Sequence, residues 1–359
     1  MRAVPTGRAV RRVAPVVPPL DARAVPDEDR ARAEAALAGL AAAVHRHLGN
    51  PDLFHRPRFR TAVHHRYLAR VPAHQVTERI AAAAEERAAA GLLAVASVRA
   101  EIAERPGRRP CFTPEALREL HALIAGCDPS IPGDGGFRTA TGRVTWADGR
   151  TFIIAVAPGR ELRDHVERWH WWSVRTTAPV LDAAALGMAQ LLTVHPFRDA
   201  NGRTARLLAQ CDLVAASLLP GLLLDLEGWT HAHRLEHDEA LVAASEGHLT
   251  RWGALFARAV ADTARHRTAT IHRYAALLDA AAARAGDGTP AAAVLTALSS
   301  TPALTPSWLR ERVPFDPEPV LADLLASGVL VPHPRLPGAA VHPNSSAVLD
   351  EPWSAPSRT

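Results

Sequence analysis

Runs rich in alanine and leucine, broken by glycine, proline and short polar stretches, extend over most of the chain and favour helix. The first run opens with three acids at 27–29 and stops at Gly-Asn-Pro, 49–51, which are helix start and stop signals. Thr113 and Pro114 give a second clear start, because threonine caps a helix and proline suits its first position. Further helices are predicted over residues 76–90, 92–104, 161–172, 178–194, 202–218, 233–245 and 252–282.

One region departs from this helical pattern. Between Gly135 and Pro158, short β-prone pieces at Thr145 and 151–154 flank the turn signal of Asp148 and the glycine after it. This predicts a single β-hairpin within a helical protein. The predicted fold class is therefore mainly α.

The C-terminal part has an organisation of its own. A linker with Gly286, Gly288 and Pro290 precedes short helical pieces and two β-prone stretches at 328–331 and 339–342, an order that suggests a winged helix. The presumed second helix of this region is acidic, whereas a DNA-reading helix offers Arg, Asn or Gln to bases and phosphates. The acidic residues are Asp316, Glu318 and Asp323. We therefore expect this region to have a structural or protein-contact role and not to bind DNA.

Charge, cysteine content and hydropathy narrow the classes of protein to which this chain could belong. The 359 residues carry a formal charge of +4 without any lysine, which is too weak a charge to indicate nucleic acid. Three cysteines at unrelated spacings, Cys111, Cys127 and Cys211, give neither a disulfide framework nor a zinc pair. No window approaches the ~18 apolar residues of a membrane span. We therefore expect a cytoplasmic protein without a membrane segment. The proline-rich stretch 1–26 predicts a disordered tail.

The stretch from His195 to Arg206, His-Pro-Phe-Arg-Asp-Ala-Asn-Gly-Arg-Thr-Ala-Arg, lies between two predicted helices and carries the candidate chemistry. A helix N-terminus presents unpaired N–H groups to an anion, and Gly202 permits close approach to the backbone. Arg203 and Arg206 lie three residues apart and can grip neighbouring phosphate oxygens. Asp199 is a hard oxygen ligand suited to Mg²⁺. His195 supplies a titratable base.

These twelve residues resemble the signature of the Fic family, His-Pro-Phe-x-Asp-Gly/Ala-Asn-Gly-Arg-x-x-Arg, and fill each of its defining positions. The resemblance implies transfer of AMP from ATP to a Ser, Thr or Tyr hydroxyl of a protein target, with Mg²⁺ as cofactor. It also implies roles within the motif: His195 deprotonates the hydroxyl, Asp199 holds Mg²⁺, Asn201, Gly202 and Arg203 bind the α and β phosphates, Arg206 holds the γ phosphate, and Pro196 and Phe197 shape the loop.

The resemblance extends over about residues 92–256. The hairpin is similar to the family's flap, which aligns the target by strand addition, and Gly136-Phe-Arg138 is similar to the segment that opens it. The predicted fold is a Fic helical-bundle core with one β-hairpin flap and a C-terminal winged-helix-like domain. The predicted boundaries are a tail at 1–26, an N-terminal helical module at 27–110, a catalytic core at 111–285 and the winged-helix-like domain at 289–345.

Many Fic proteins carry an inhibitory helix with the pattern Ser/Thr-x-x-x-Glu-Gly/Asn, whose glutamate pairs with the second motif arginine. Ser97 and Glu101 match its first and fifth positions, while Ile102 stands where the family has Gly or Asn. By this resemblance, Glu101 blocks productive ATP binding at Arg206 until the helix is released. The alternative is an ordinary helix with Glu101 in solvent.

Other functions stay open at this stage. Ala200 and Thr204-Ala205 are similar to the Doc branch, whose kinases carry Lys where Gly202 stands here, and the same site would also suit removal of AMP. A non-enzymatic regulator that senses nucleotide is the rival from another class. Residues 233–237, His-Arg-Leu-Glu-His, match a short zinc-protease spacing but have no convincing third ligand. Self-modification, homodimerisation, the nucleotide base and the protein target are also open.

Overall fold

Helices make up most of the described chain, which comprises residues 11–50, 112–126, 136–145, 150–301, 303–333 and 338–349 of a computed structural model. The helices are α1 (Asp27–His47), α2 (Pro114–Gly126), α3 (Arg160–Arg175), α4 (Val180–Val194), α5 (Asn201–Ala215), α6 (Leu226–Ala232), α7 (Arg234–Ser245), α8 (Leu249–Ala285), α9 (Pro290–Thr296), α10 (Pro306–Arg310), α11 (Pro317–Ala326) and α12 (Ser345–Leu349). The strands are β1 (Arg11–Val13), β2 (Arg143–Thr145), β3 (Thr151–Ile154), β4 (Val331–Pro332) and β5 (Ala340–Val341). The mainly α prediction is confirmed.

The core is built around α8, a 37-residue helix that packs against α1, α4, α6, α7 and α9. Its fully buried Trp252 also donates a hydrogen bond from Nε1 to the carbonyl of Ala185 in α4, at 2.7 Å. Helix α4 is apolar around nearly its whole circumference and is buried from Leu181 to Val194, as expected for a helix at the centre of a domain. Since α4 leads directly into the motif, the core fixes where the motif begins.

The predicted hairpin is confirmed as an antiparallel pair of β2 and β3, with Val144 opposite Phe152. Phe152 and Ile154 point into the core, and the alternating burial along β3 matches the two-residue repeat of a strand. The other edge of β3 is occupied by β1, which runs parallel to it, so the strand order is β1-β3-β2.

The prediction of a disordered tail at 1–26 is wrong for residues 11–26. In addition to the β1 pairing, Val13 and Val16 are 95% buried, and Val16 N donates to Thr193 Oγ1 in α4 at 3.1 Å. The prolines of this stretch suit an extended segment that packs on a helical core, and its valines supply the apolar contacts. Residues 1–10 lie outside the described part of the chain.

Asp182 anchors the next part of the same segment. It is fully buried in the first turn of α4, where Oδ1 accepts from Ala24 N at 2.7 Å and from Val25 N at 2.8 Å. Its Oδ2 lies 2.7 Å from Arg30 Nη1, and this hydrogen bond raises the pKa of Arg30. One carboxylate thus joins the N-terminal segment, α1 and α4.

Two further comparisons concern helices: one that was not predicted, and two that were predicted outside the described residues. The region predicted as one helix at 233–245 is preceded by α6, a short helix that the sequence analysis missed, capped by Asp225 through a 2.7 Å hydrogen bond from Gly228 N. The predicted helices at 76–90 and 92–104, with Ser97 and Glu101, lie outside the described residues. Within the described residues, the helices lack the combination of length and apolar character that a membrane span requires.

The C-terminal elements follow the predicted order of short helices and a small hairpin. β4 and β5 pair antiparallel, with Val331 opposite Val341, and Tyr274 in α8 donates to the carbonyl of Leu298 at 2.8 Å. Asp316 caps α11, so one of the acids noted in this helix serves local structure. The winged-helix assignment for 289–345 stays a prediction.

We predict that Asp182→Asn destabilises the protein by about 3 kcal/mol, because removing one partner of a buried ion pair leaves the other charge uncompensated. Urea denaturation measures this loss of unfolding free energy. Asp279→Asn, the same change on the exposed side of α8, is the control and should have little effect. Equal effects of the two changes would contradict the anchoring role.

Candidate active site

Residues 195–200 form the motif loop, which joins the C-terminal end of α4 to the N-terminal end of α5. Its two end residues, His195 and Ala200, have left-handed backbone angles with φ of 51° and 62°. Such angles are uncommon for residues other than glycine and persist only where surrounding contacts hold them. The loop therefore has a defined shape that depends on its neighbours.

Asn201 holds the loop closed from inside. Its Nδ2 donates to the carbonyl of Phe197 at 2.8 Å, and its Oδ1 accepts from Phe197 N at 2.9 Å. The side chain is buried. The resemblance implies that Asn201 binds phosphate, but in the structure its side-chain amide is engaged in the loop. A contribution to anion binding would therefore come from its backbone N–H at the start of α5.

Phe197 is buried and packs the loop against α2, which fits the expectation that it shapes the loop. Its ring stacks on that of His121 with centroids 3.7 Å apart and an angle of 11° between planes. His121 Nε2 lies 3.0 Å from the carbonyl oxygen of Asp199, and since a carbonyl only accepts, this nitrogen donates. The sequence analysis did not single out His121, although it shares the buried face of α2 with Leu117 and Ile124.

Arg138 ties the hairpin segment, residues 136–158, to the end of α4. The guanidinium is buried, and burial lowers its pKa. Its backbone N–H donates to the carbonyl of Pro196 at 2.9 Å. The guanidinium donates to four further carbonyls, those of His195 (2.8 Å), Ala140 (3.0 Å), Val156 (2.6 Å) and Val194 (3.4 Å).

His195 is held as a neutral imidazole. Burial lowers its pKa to about 4, and the nearby charge of Arg138 acts in the same direction. Its Nδ1 lies 3.3 Å from the carbonyl oxygen of Leu192, so Nδ1 carries the hydrogen and Nε2 presents a lone pair. At neutral pH this side chain can accept a proton, as a general base must.

The first turn of α5 offers a site for an anion, which we call the anion site and define by Gly202, Arg203 and Arg206. The guanidinium of Arg206 folds back over this turn, so a Cβ at Gly202 would come within 2.9 Å of its Nη1. Both arginine side chains are largely buried, with 18% of Arg203 and 14% of Arg206 exposed. Two fixed guanidinium groups thus meet the unpaired N–H groups and positive end of a helix.

Asp199 borders the anion site and fits the predicted magnesium ligand. Its Oδ1 accepts from Ala200 N at 2.5 Å and lies 3.9 Å from Arg203 Nη2. Oδ2 makes no hydrogen bond or ion pair within the described part of the chain, and 60% of the side chain is exposed. The described residues contain no group of three or more metal-ligating side chains. One carboxylate oxygen beside a phosphate site suits Mg²⁺, which takes few protein ligands and completes its shell with phosphates and water.

The zinc-protease spacing at 233–237 receives no support from the geometry. His233 stacks on Trp229 with centroids 4.0 Å apart, whereas His237 Nδ1 lies 3.1 Å from Asp238. Glu236 forms an ion pair with Arg258 at 2.5 Å. His237 does not lie on a solvent-exposed face of α7, because it is 92% buried, and burial lowers its pKa.

We predict that Arg138→Met lowers unfolding free energy by about 3 kcal/mol, because several buried carbonyls lose their donor at once. Thermal and urea unfolding measure the loss. Arg143→Met removes an exposed arginine from β2 of the same hairpin segment and should leave stability nearly unchanged. If the two variants were equally stable, the contacts of Arg138 would contribute no net stability.

Comparison with known proteins agrees with the motif. Residues 111–213 match the model of the Fic/DOC family. The protein adenylyltransferase fic-1 of Caenorhabditis briggsae is 32% identical over 121 residues, 33% of this chain and 21% of the relative. The fic-1 protein of Caenorhabditis elegans is 34% identical over 114 residues, 32% of this chain and 20% of the relative. The match spans about a fifth of these relatives' length.

Solved structures with lower similarity include residues 134–508 of Fic-1 from Caenorhabditis elegans, 18% identical with a TM-score of 0.44 over 70% of this chain and 73% of that one. A Fic family protein from Desulfovibrio desulfuricans is 16% identical with a TM-score of 0.46 over 87% of this chain and 95% of that one. The family assignment does not depend on these two structures. The motif from His195 to Arg206 lies inside the matched region, so residues 111–213 of this chain carry the sequence of the Fic/DOC family.

Proposed function

We propose that this chain is a protein adenylyltransferase, which moves AMP from Mg·ATP to a Ser, Thr or Tyr hydroxyl of a target protein. The observation that carries the proposal is a neutral His195 held at one end of a short loop whose other end opens the anion site. A base next to a site for phosphate groups is what transfer of a nucleotidyl group to a hydroxyl requires. The names of the two curated relatives support the same activity.

His195 would act on the attacking hydroxyl. As the hydroxyl oxygen bonds to the α phosphorus of ATP, its proton passes to Nε2 of the imidazole. The bond between the α phosphorus and the bridging oxygen breaks, and pyrophosphate leaves with that electron pair. The target hydroxyl attacks ATP directly, and His195 only accepts its proton. No covalent link between enzyme and AMP is therefore required.

The anion site would hold the triphosphate in line for this attack. The N–H groups of the first turn of α5 and Arg203 would bind the α and β phosphates, and Gly202 lets them approach the backbone. Arg206 would bind the γ phosphate. Because both arginines are largely buried and already placed, little of the binding energy is spent on ordering them.

Asp199 would hold Mg²⁺ through Oδ2, the carboxylate oxygen that makes no hydrogen bond or ion pair with the described residues. When bound, Mg²⁺ supplies positive charge that offsets the negative charge of the phosphate oxygens. The exposed position of Asp199 leaves room for the phosphate and water ligands that the ion also needs.

The hairpin would align the target. Within the described sheet, β3 lies between β1 and β2, so β2 is one of its two edge strands, and a target segment could add to the outer edge of β2. Arg138 connects this hairpin segment to the carbonyl of His195 at 2.8 Å. A hydroxyl presented along β2 would thereby be positioned relative to the base.

We predict an AMP-sized mass gain on a protein of a cell lysate, or on the chain itself, after incubation of the wild type with Mg·ATP. Intact-mass spectrometry measures the gain, which should vanish in His195→Ala because the base is gone. His248→Ala, an exposed histidine at the start of α8, is the control and should retain it. Glu101→Gly should increase the gain if Glu101 inhibits as the resemblance implies.

Two results would contradict this proposal. A phosphate-sized gain would assign the chain to kinase activity of the Doc type. No gain on any protein, together with no Mg·ATP binding by the wild type, would exclude nucleotide transfer.

A further inference from the structure

A glutamate that the sequence analysis did not single out faces the anion site from the neighbouring helix. Glu227 lies in the first turn of α6, and its Oε1 is 3.8 Å from Arg206 Nη2. The guanidinium of Arg206 folds over Gly202. The carboxylate of Glu227 beside it therefore places a negative charge at the edge of the anion site, where phosphates would lie. Glu227 is distinct from Glu101, which precedes the motif in the chain and lies outside the described residues.

The backbone that carries Glu227 is fixed. Asp225 caps α6 through Gly228 N at 2.7 Å, and Trp229 is almost fully buried, with its Nε1 donating to Asp262 at 3.0 Å. The carboxylate of Glu227 thus stays near Arg206 even though half of its side chain is exposed. It remains within reach of the anion site.

The two partners of this ion pair differ in exposure. Arg206 is only 14% exposed and is held over the first turn of α5, whereas Glu227 is 50% exposed. A long, partly exposed ion pair contributes little stability and is readily displaced. An incoming phosphate would therefore displace Glu227 and leave Arg206 in place, at a modest cost in affinity.

We propose that Glu227 is a specificity-determining residue that competes with the terminal phosphate for Arg206 and so reduces the preference of the site for a nucleoside triphosphate over a diphosphate. A diphosphate can occupy the part of the site formed by Gly202 and Arg203 and leave the Glu227–Arg206 pair intact. A triphosphate has to displace the carboxylate or bind against its charge. This inference rests on the proposed function, because it takes the anion site to bind nucleotide phosphates.

The chain offers a matched control. Glu239 in α7 pairs with Arg251 and is 49% exposed, close to the value for Glu227, but its partner lies in α8 and not in the motif. Glu239→Gln therefore makes the same chemical change at an equally exposed glutamate, in a closer ion pair of 2.8 Å that lies away from the motif. If charge removal alone altered nucleotide binding, both variants would show it.

The test is calorimetric titration of the full chain with the Mg²⁺ complexes of α,β-methylene-ATP and α,β-methylene-ADP, which cannot donate AMP. Glu227→Gln is expected to raise the ratio of triphosphate to diphosphate affinity about two- to fivefold, which lies within the range for one exposed ion pair. Glu239→Gln should leave the ratio unchanged. Thermal unfolding verifies that both variants are folded, which is expected because each change is exposed and isosteric.

The same titrations are made in a Glu101→Gly background, so that a second carboxylate at Arg206 cannot mask the effect. A rise of the ratio in either background supports the role of Glu227, and an unchanged or lower ratio in both overturns it. Failure of the proposed function is distinct, because the wild type would then bind neither nucleotide, and both proposals would be overturned. Binding with an unchanged ratio overturns only the role of Glu227.

Discussion

The site depends on a buried guanidinium that donates to main-chain oxygens of the described residues. Arg138 donates to carbonyls of the hairpin segment, Ala140 and Val156, and to carbonyls at the end of α4, Val194 and His195. A buried cation with this many fixed acceptors cannot shift without leaving several of them unsatisfied. The surface proposed to receive the target and the residue proposed as base are therefore coupled through a single side chain.

The motif loop is strained at both ends and stabilised from both sides. His195 and Ala200 adopt left-handed angles, which cost energy, while Asn201 closes the loop from inside and His121 supports it from α2. Such a loop presents its imidazole and the following helix N-terminus in one arrangement before a ligand arrives. Preorganisation of this kind is what makes an electrostatic site effective in catalysis.

Local signals in the sequence predicted most helices, whereas contacts between residues far apart in the chain could not be predicted from it. The acids at 27–29 and the Thr113 cap fix helix starts within one turn, so α1 and α2 were predictable. Residues 11–26 look like a tail by composition, because nothing in them shows that β3 and Asp182, more than 130 residues away, will bind them. The motif itself was recognisable because its chemistry lies in consecutive residues, but His121 and Glu227 reach it from other helices.

The central claim is that this fold holds His195 neutral beside an anion site, and the pKa of its side chain tests that claim most directly. NMR titration of histidine ring signals, with His195 identified by the signal missing from His195→Ala, gives the value. We predict a pKa of about 4, because burial and the charge of Arg138 both oppose protonation. A pKa at or above the ordinary value of about 6.5 would contradict a neutral His195 held beside Arg138 at the end of α4.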